Sequence, residues 1–274
     1  MGEDRSSGAH KCRLQYGSPV RLNPVVLARR SVAIVVCAAA FTACAQSISV
    51  TSMAQDGDPE LWSDFRNKQN ADRLPLKFDS GQTANSISSP ASVVPVIRDG
   101  AYTFLPSGPG TAASYYQGRT RNVVHRVRVR FAFRSGLTTG GRMAIAILHE
   151  QQEGFVVPSM AAHVVVGPED WSYGVIDPAP DNDPTPQAVG SRLQSVGSGK
   201  FDTPLSMDGS SEHQLNLVLD GNTAHLEIDG QQMPPITDPR IGDPDYVGSY
   251  VFFETYFTAG DTDNRTRFFD VAAW

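Results

Sequence analysis

Residues 125–134 read HRVRVRFAFR, which sets Arg126, Arg128, Arg130 and Arg134 against Val127, Val129, Phe131 and Phe133. Side chains of a β-strand alternate between its two faces. The stretch therefore predicts a strand with one apolar face and one row of guanidinium groups, about 6.6–7 Å apart from Arg126 to Arg130 and twice that to Arg134. Such a row has two uses. A guanidinium is a planar fork of donors that grips carboxylate or sulfate through charge-assisted hydrogen bonds. It also pairs with carboxylates of neighbouring strands as a solvated outer face. Asp220, Glu227 and Glu254, on other predicted strands, are the carboxylates expected to supply such pairs.

Few other residues have the spacing that chemistry requires. Acid/base cleavage of a glycosidic bond needs two carboxylates across the sugar ring, and acids at alternate strand positions would point into one cleft. The nearest pattern is Glu227-Ile228-Asp229, but Gly230-Gln231 follows, so the third acid is missing and a turn begins. His125, His149, His163, His213 and His225 lie on or beside predicted strands, among Tyr and Arg residues. These are the residue types of a lyase that abstracts a proton beside a uronate, yet no spacing singles out a base. No catalytic residue is expected. Two loops, one with Asp177, Asp181 and Asp183 and one with Asp261, Asp263 and Asn264, carry the oxygen ligands that calcium takes. Neither has the spacing of a defined calcium loop, so no cofactor is expected and calcium is the one ion left open. Aromatic rings are the remaining resource, because the C–H face of a pyranose packs on a flat π surface. Trp171 and Tyr173 share one face of their predicted strand; Phe252, Glu254 and Tyr256 share one face of theirs. The candidate ligand-binding residues are Arg128, Arg130, Trp171, Tyr173, Glu254 and Tyr256. In this set Trp171 or Tyr256 stacks on a glycan that Arg128 and Arg130 hold on a concave face.

Charge and address frame these residues. Arg29 and Arg30 precede an uncharged apolar run from Val32 to Ala43. Twelve residues make a helix of roughly 18 Å, short of the ~30 Å hydrocarbon core, so the run reads as an export signal rather than a span. Two processing sites compete at its end. Phe41-Thr42-Ala43-Cys44 resembles a bacterial lipobox, which implies lipidation at Cys44, and Ala43-Cys44-Ala45 has the A-x-A form of ordinary signal cleavage. The other cysteines are Cys12 and Cys37, so the exported part has no disulfide use for Cys44, which favours the lipid acceptor. Residues 1–28 form a polar extension, either translated or upstream of a start near Val25 or Val26. Six of the 23 basic and two of the 29 acidic residues lie before Cys44, which leaves 17 and 27 and a net charge of −10. So acidic a domain is a poor nucleic-acid binder. It makes the cluster of Arg119, Arg121, Arg126, Arg128, Arg130 and Arg134 more pointed, since it gathers six of the 17 cations within sixteen residues.

The rest of the chain must position this cluster. Residues 45–57 read as a tether. Residues 58–92 read as a short helix, from the Asp58-Pro59 start signal and the apolar Leu61, Trp62 and Phe65, followed by an irregular Ser/Pro/Ala stretch. From residue 93 onward, short alternating runs between turn signals predict ten or more strands without helical crossovers, an antiparallel sandwich. Asp220-Gly221-Asn222 and Asp229-Gly230 mark hairpin turns. HQLNLVLDGNTAHLEIDGQ resembles the paired strands of laminin-G-like and concanavalin A-like jelly rolls. The series DWSYGV, FDTPLSMDGSSEHQL, ITDPRIG, FFETYF and VAAW is similar to jelly-roll domains of actinobacterial lipoproteins and of actinophage tail proteins. The resemblance implies an all-β, concanavalin A-like jelly-roll sandwich over residues 93–274. It does not decide chemistry, since lectins, hydrolases, lyases and adhesion modules share such folds. The expected function is an envelope-tethered or secreted, non-catalytic module whose partner is a glycan or cell-wall polysaccharide. A polysaccharide-active enzyme, lyase before hydrolase, is the alternative, and a structural or protein-interaction domain of the envelope the third.

Overall fold

The computed structural model describes residues 57–89, 93–105, 112–133, 142–152, 160–178, 193–257 and 266–274. The extension, the export signal, Cys44, the tether up to residue 56, Arg134, Asp181, Asp183, Asp261, Asp263 and Asn264 lie outside these residues. Two antiparallel sheets form a sandwich. The first runs β13 (Gln231–Gln232), β12 (Thr223–Ile228), β11 (His213–Asp220), β6 (Arg126–Phe133), β16 (Thr266–Ala273), β4 (Ala101–Leu105) and β3 (Val94–Arg98). In the same sheet β1 (Leu61–Asp64) pairs with β16, and β14 (Ile236–Thr237) with β12. The second sheet runs β10 (Leu193–Lys200), β9 (Asp170–Ile176), β8 (Ala161–Val166), β7 (Arg142–Leu148), β15 (Tyr250–Phe257), β5 (Ala112–Arg119) and β2 (Ala84–Ser89).

Alternation decides which side chains fill the space between the sheets. Val127, Val129, Phe131 and Phe133 of β6 are fully buried and meet Leu215 and Leu217 of β11 and Phe268 and Val271 of β16. Tyr116, Ile145, Val164, Tyr173 and Phe253 close the same core from the second sheet. Burying a side chain of this size contributes about 1.5–3 kcal/mol, so the inward face of β6 fixes the strand and sends its arginines outward. The hairpins follow the turn chemistry. Asp229 and Gly230 both take positive φ (52° and 81°), as a two-residue turn with matching twist requires.

Three expectations need correction. Residues 61–64 form strand β1, not a helix: Leu61, Ser63 and Phe65 are buried in alternation while Trp62 stays 39% exposed. Pairing with the last strand, Leu61 opposite Ala273 and Asp64 opposite Asp270, outweighs the local start signal. Residues 84–89, in the stretch expected to be irregular, form the edge strand β2, held on β5. The sandwich therefore takes in residues from Leu61 onward rather than from 93. Among the described residues no helix is long and apolar enough to cross a membrane.

Candidate functional site

Cross-strand partners share a face, so strand register determines which outward side chains meet. One row across the first sheet runs Trp62, Ala272, Arg128, Asn216, Glu227 and Gln232. The next runs Asp64, Asp270, Arg130 and Gln214. The small Ala272 between Trp62 and Arg128 leaves room for a cleft. It has a volume of about 260 Å³ and is lined by Trp62, Asp64, Arg66, Arg128, Arg130 and Asp270, with Pro59, Ser63 and Val271.

Asp270 is the electrostatic centre. Its carboxylate accepts a hydrogen bond from Arg66 and lies 4.0 Å from Arg128 Nε and 3.9 Å from Arg130 Nε. Arg66 also pairs with Glu212 and, at 3.8 Å, with Asp64. Burial works against the Arg66 charge, but the hydrogen bonds to Glu212 and Asp270 outweigh it and raise its pKa, so it stays a cation. Around this cluster, Arg130 Nε donates to Gln214 Oε1 at 3.2 Å and Asn216 Nδ2 donates to Glu227 Oε1 at 3.0 Å. Arg126 and Arg128 lie over the Trp274 ring, 4.8 and 5.7 Å from its centre, which stiffens both stems. The inner nitrogens of Arg128 and Arg130 thus face Asp270. No described hydrogen bond engages the outer Nη groups of either side chain, and these side chains are 37% and 44% exposed. The face offers cationic donors, an indole surface and amide groups on one side of the sheet. Those are groups for holding a hydroxylated or acidic ring.

The six candidate residues fall into separate places. Arg128 and Arg130 stand together on the first sheet. Trp171 and Tyr173 lie on the core side of β9, 4% and 0% exposed, away from the arginine pair; Trp171 edges a separate cleft of about 520 Å³ with Arg142 and Lys200. Alternation paired these two correctly but could not tell the inner face from the outer. Glu254 lies on the outer side of the second sheet, 8% exposed, with its carboxylate 3.7 Å from His163 Nε2. Tyr256 belongs to the same strand, and its side chain lies outside the described residues. Among the described residues the carboxylate beside Arg128 and Arg130 is Asp270 rather than Asp220, Glu227 or Glu254. Glu227 shares their face but accepts from Asn216 and Gln232. Of the acidic loops, Asp177 accepts from Arg240 Nη1 at 2.9 Å and from the Tyr246 hydroxyl at 3.0 Å. Sequence reasoning missed Trp62 and Asp270. The alternation of Leu61, Ser63 and Phe65 was the available signal for Trp62.

No protein-family model matches the sequence, and no curated protein matches it. Among solved structures, a Bacillus subtilis protein of unknown function with a galectin-like fold aligns over 80% of this chain and 96% of its own. Its identity is 10% and its TM-score 0.53. A Bacillus subtilis carbohydrate-binding module, CBM66, aligns over 78% of this chain and 94% of its own at 11% identity and a TM-score of 0.41. The Emp47p carbohydrate recognition domain covers the same shares at 12% identity and a TM-score of 0.48. At such identities likeness speaks to the fold alone, and the last two scores are too low to add to it. The chain has a galectin-like, concanavalin A-like jelly-roll fold.

Proposed function

We propose that this chain is an exported, non-catalytic glycan-binding module that uses the outer face of its first sheet. The observation that carries the reading is the pair Arg128 and Arg130. Their inner nitrogens are turned to Asp270 and their Nη groups are exposed beside Trp62. Gln214 holds Arg130 by a hydrogen bond and the Trp274 ring packs on Arg128, so each loses less freedom on binding and its hydrogen bonds to a carboxylate, sulfate or hydroxyl are better retained as affinity. An exposed tryptophan at one wall supplies the stacking surface that a sugar ring needs. The ligand class is an acidic or hydroxyl-rich glycan, such as a cell-wall polysaccharide. In the same reading Cys44 carries a lipid that tethers the module to the outer side of the membrane.

A second reading, a polysaccharide-active enzyme, rests on the outer face of the other sheet. There His163 stands 3.7 Å from Glu254, near the stacked rings of Tyr115 and Phe252. A glycan array probed with the full chain, run beside a turnover assay on uronate polymers, separates the two. Array binding without product supports the module, product release supports the enzyme, and silence in both favours a structural role.

A further inference from the structure

The second sheet carries a larger cleft that the arginine face does not use. It lies where the edge strand β2 meets β5 and β15, has a volume of about 610 Å³, and is lined in part by Asn85, Gln117, Arg119, Arg121, Gln151 and Tyr250. Its described lining holds two cations and no carboxylate, in a chain whose part beyond residue 43 carries a net charge of −10.

The two arginines are set in place by different means. The Arg119 guanidinium lies over the Tyr250 ring, 5.3 Å from its centre, and its Nε donates to Ser249 Oγ at 3.2 Å. No described hydrogen bond takes its Nη groups. Arg121 sits in a turn whose backbone is fixed by Glu60: the N–H groups of Arg121 and Asn122 donate to Glu60 Oε2 at 2.6 and 3.1 Å. Glu60 also accepts from the Asn122 side chain and interacts by charge with Arg121, whose guanidinium has no described hydrogen bond. The floor carries a paired amide contact. Gln117 Nε2 donates to the carbonyl of Gln152 at 2.5 Å, and its Oε1 accepts from the Gln152 N–H at 3.2 Å. A polar cleft of this size fits a ligand of one or two sugar rings. Two guanidinium forks whose Nη groups have no described hydrogen bond, in a cleft with no carboxylate in its described lining, favour one that carries an anion.

We propose that this cleft is a second binding site, specific for the carboxylate of a uronic-acid residue, with Arg119 and Arg121 on the carboxylate and Tyr250 and Asn85 beside the ring. The site is independent of the arginine face, so it stands or falls without it. The test is calorimetric titration of the full chain, in an Arg128→Ala background, with a glucuronate disaccharide and with its methyl ester. The uronate should bind at least tenfold more tightly than the ester, and Arg121→Gln should weaken it at least tenfold. Arg119→Gln should do the same, and Arg121→Gln is decisive if loss of the Tyr250 contact loosens the sheet. No binding of the uronate, equal binding of acid and ester, or full affinity in Arg121→Gln overturns the proposal. Displacement of the uronate by equimolar inorganic sulfate would mark a general oxyanion site and overturn the uronate assignment.

Discussion

His213→Gln removes a group that is tied on both sides. The His213 side chain is 6% exposed; Nδ1 lies 2.7 Å from Asp229 Oδ2 and Nε2 lies 3.0 Å from the carbonyl oxygen of Ser206. Both partners are acceptors, so both ring nitrogens donate only when the ring is an imidazolium. Burial works against that charge, but the Asp229 hydrogen bond, the Ser206 carbonyl and the charges of Asp229 and Asp208 outweigh it and raise the pKa. Burial likewise opposes ionised Asp229, and the hydrogen bonds from His213 and the Gln214 N–H outweigh it and lower the pKa. A raised histidine stabilises fully below its unfolded pKa of about 6.5, and loses that contribution as pH climbs through the folded value. A lowered aspartate contributes above about 3.9 and loses its contribution as pH falls through the folded value. The pair is therefore worth most between about pH 4 and 6.5. A charged hydrogen bond contributes about 1.5–3 kcal/mol, and Asp229, 40% exposed, recovers part of its loss from water. The substitution should cost about 2 kcal/mol at pH 5.5, which is about 4–8 °C of Tm for a domain of this length. Thermal unfolding followed by circular dichroism at pH 5.5 and pH 9 reads the difference, which should shrink at the higher pH. A gap of equal size at both values would refute the clamp and leave His213 as a ring packed near Phe131 and Phe133.

Other substitutions report on separate parts of the molecule. Asp270→Asn leaves Arg66, Arg128 and Arg130 without their common carboxylate and should lower stability by about 2–3 kcal/mol in denaturant titration; an unchanged midpoint would show that the cluster is solvent-screened. Gly248→Ala would set a Cβ 2.5 Å from His149 Cα and from the Leu148 carbonyl oxygen, backbone atoms that cannot swing aside. It should cost about 1–3 kcal/mol or prevent folding, read from soluble yield and Tm. Cys44→Ser should release the chain from the membrane fraction or leave it unprocessed, because acyl chains contribute about 0.8 kcal/mol per buried CH₂. A processed Cys44→Ser protein that stays on the membrane would end the lipid-anchor proposal.

Much of the sandwich is legible because its inward residues are apolar and alternate, as in β6, β11 and β12. The edge strand β2 hides because its sequence, ANSISS, has a single large apolar residue to reveal a face. β1 hides because four residues are too few to separate a strand from a helical turn, and the partner that decides is some 200 residues away, in β16. Asp270 was illegible for a sharper reason. Strict alternation from the buried Phe268 would send it into the core, but β16 shifts register between Phe268 and Asp270. Such a bulge flips the following side chains to the opposite faces. It turns Asp270 out beside Arg128 and Arg130 and keeps Val271 in the core. The arginine row was visible from spacing; the carboxylate and the tryptophan beside it depended on pairings that no local pattern carries.

The most direct test of the glycan-binding face is a titration of the full chain and of Arg128→Ala and Trp62→Ala with the strongest glycan found on an array, each paired with a melting curve. Loss of one charge-assisted contact, about 1.5–3 kcal/mol, corresponds to tenfold or more in Kd. Both variants should therefore bind at least tenfold more weakly, with Tm within about 2 °C of the parent, since exposed sites away from the core contribute little to stability. Full retention of binding together with a lowered Tm in Arg128→Ala would mean that the arginine row is an ion-pair ladder, and would contradict the proposed function.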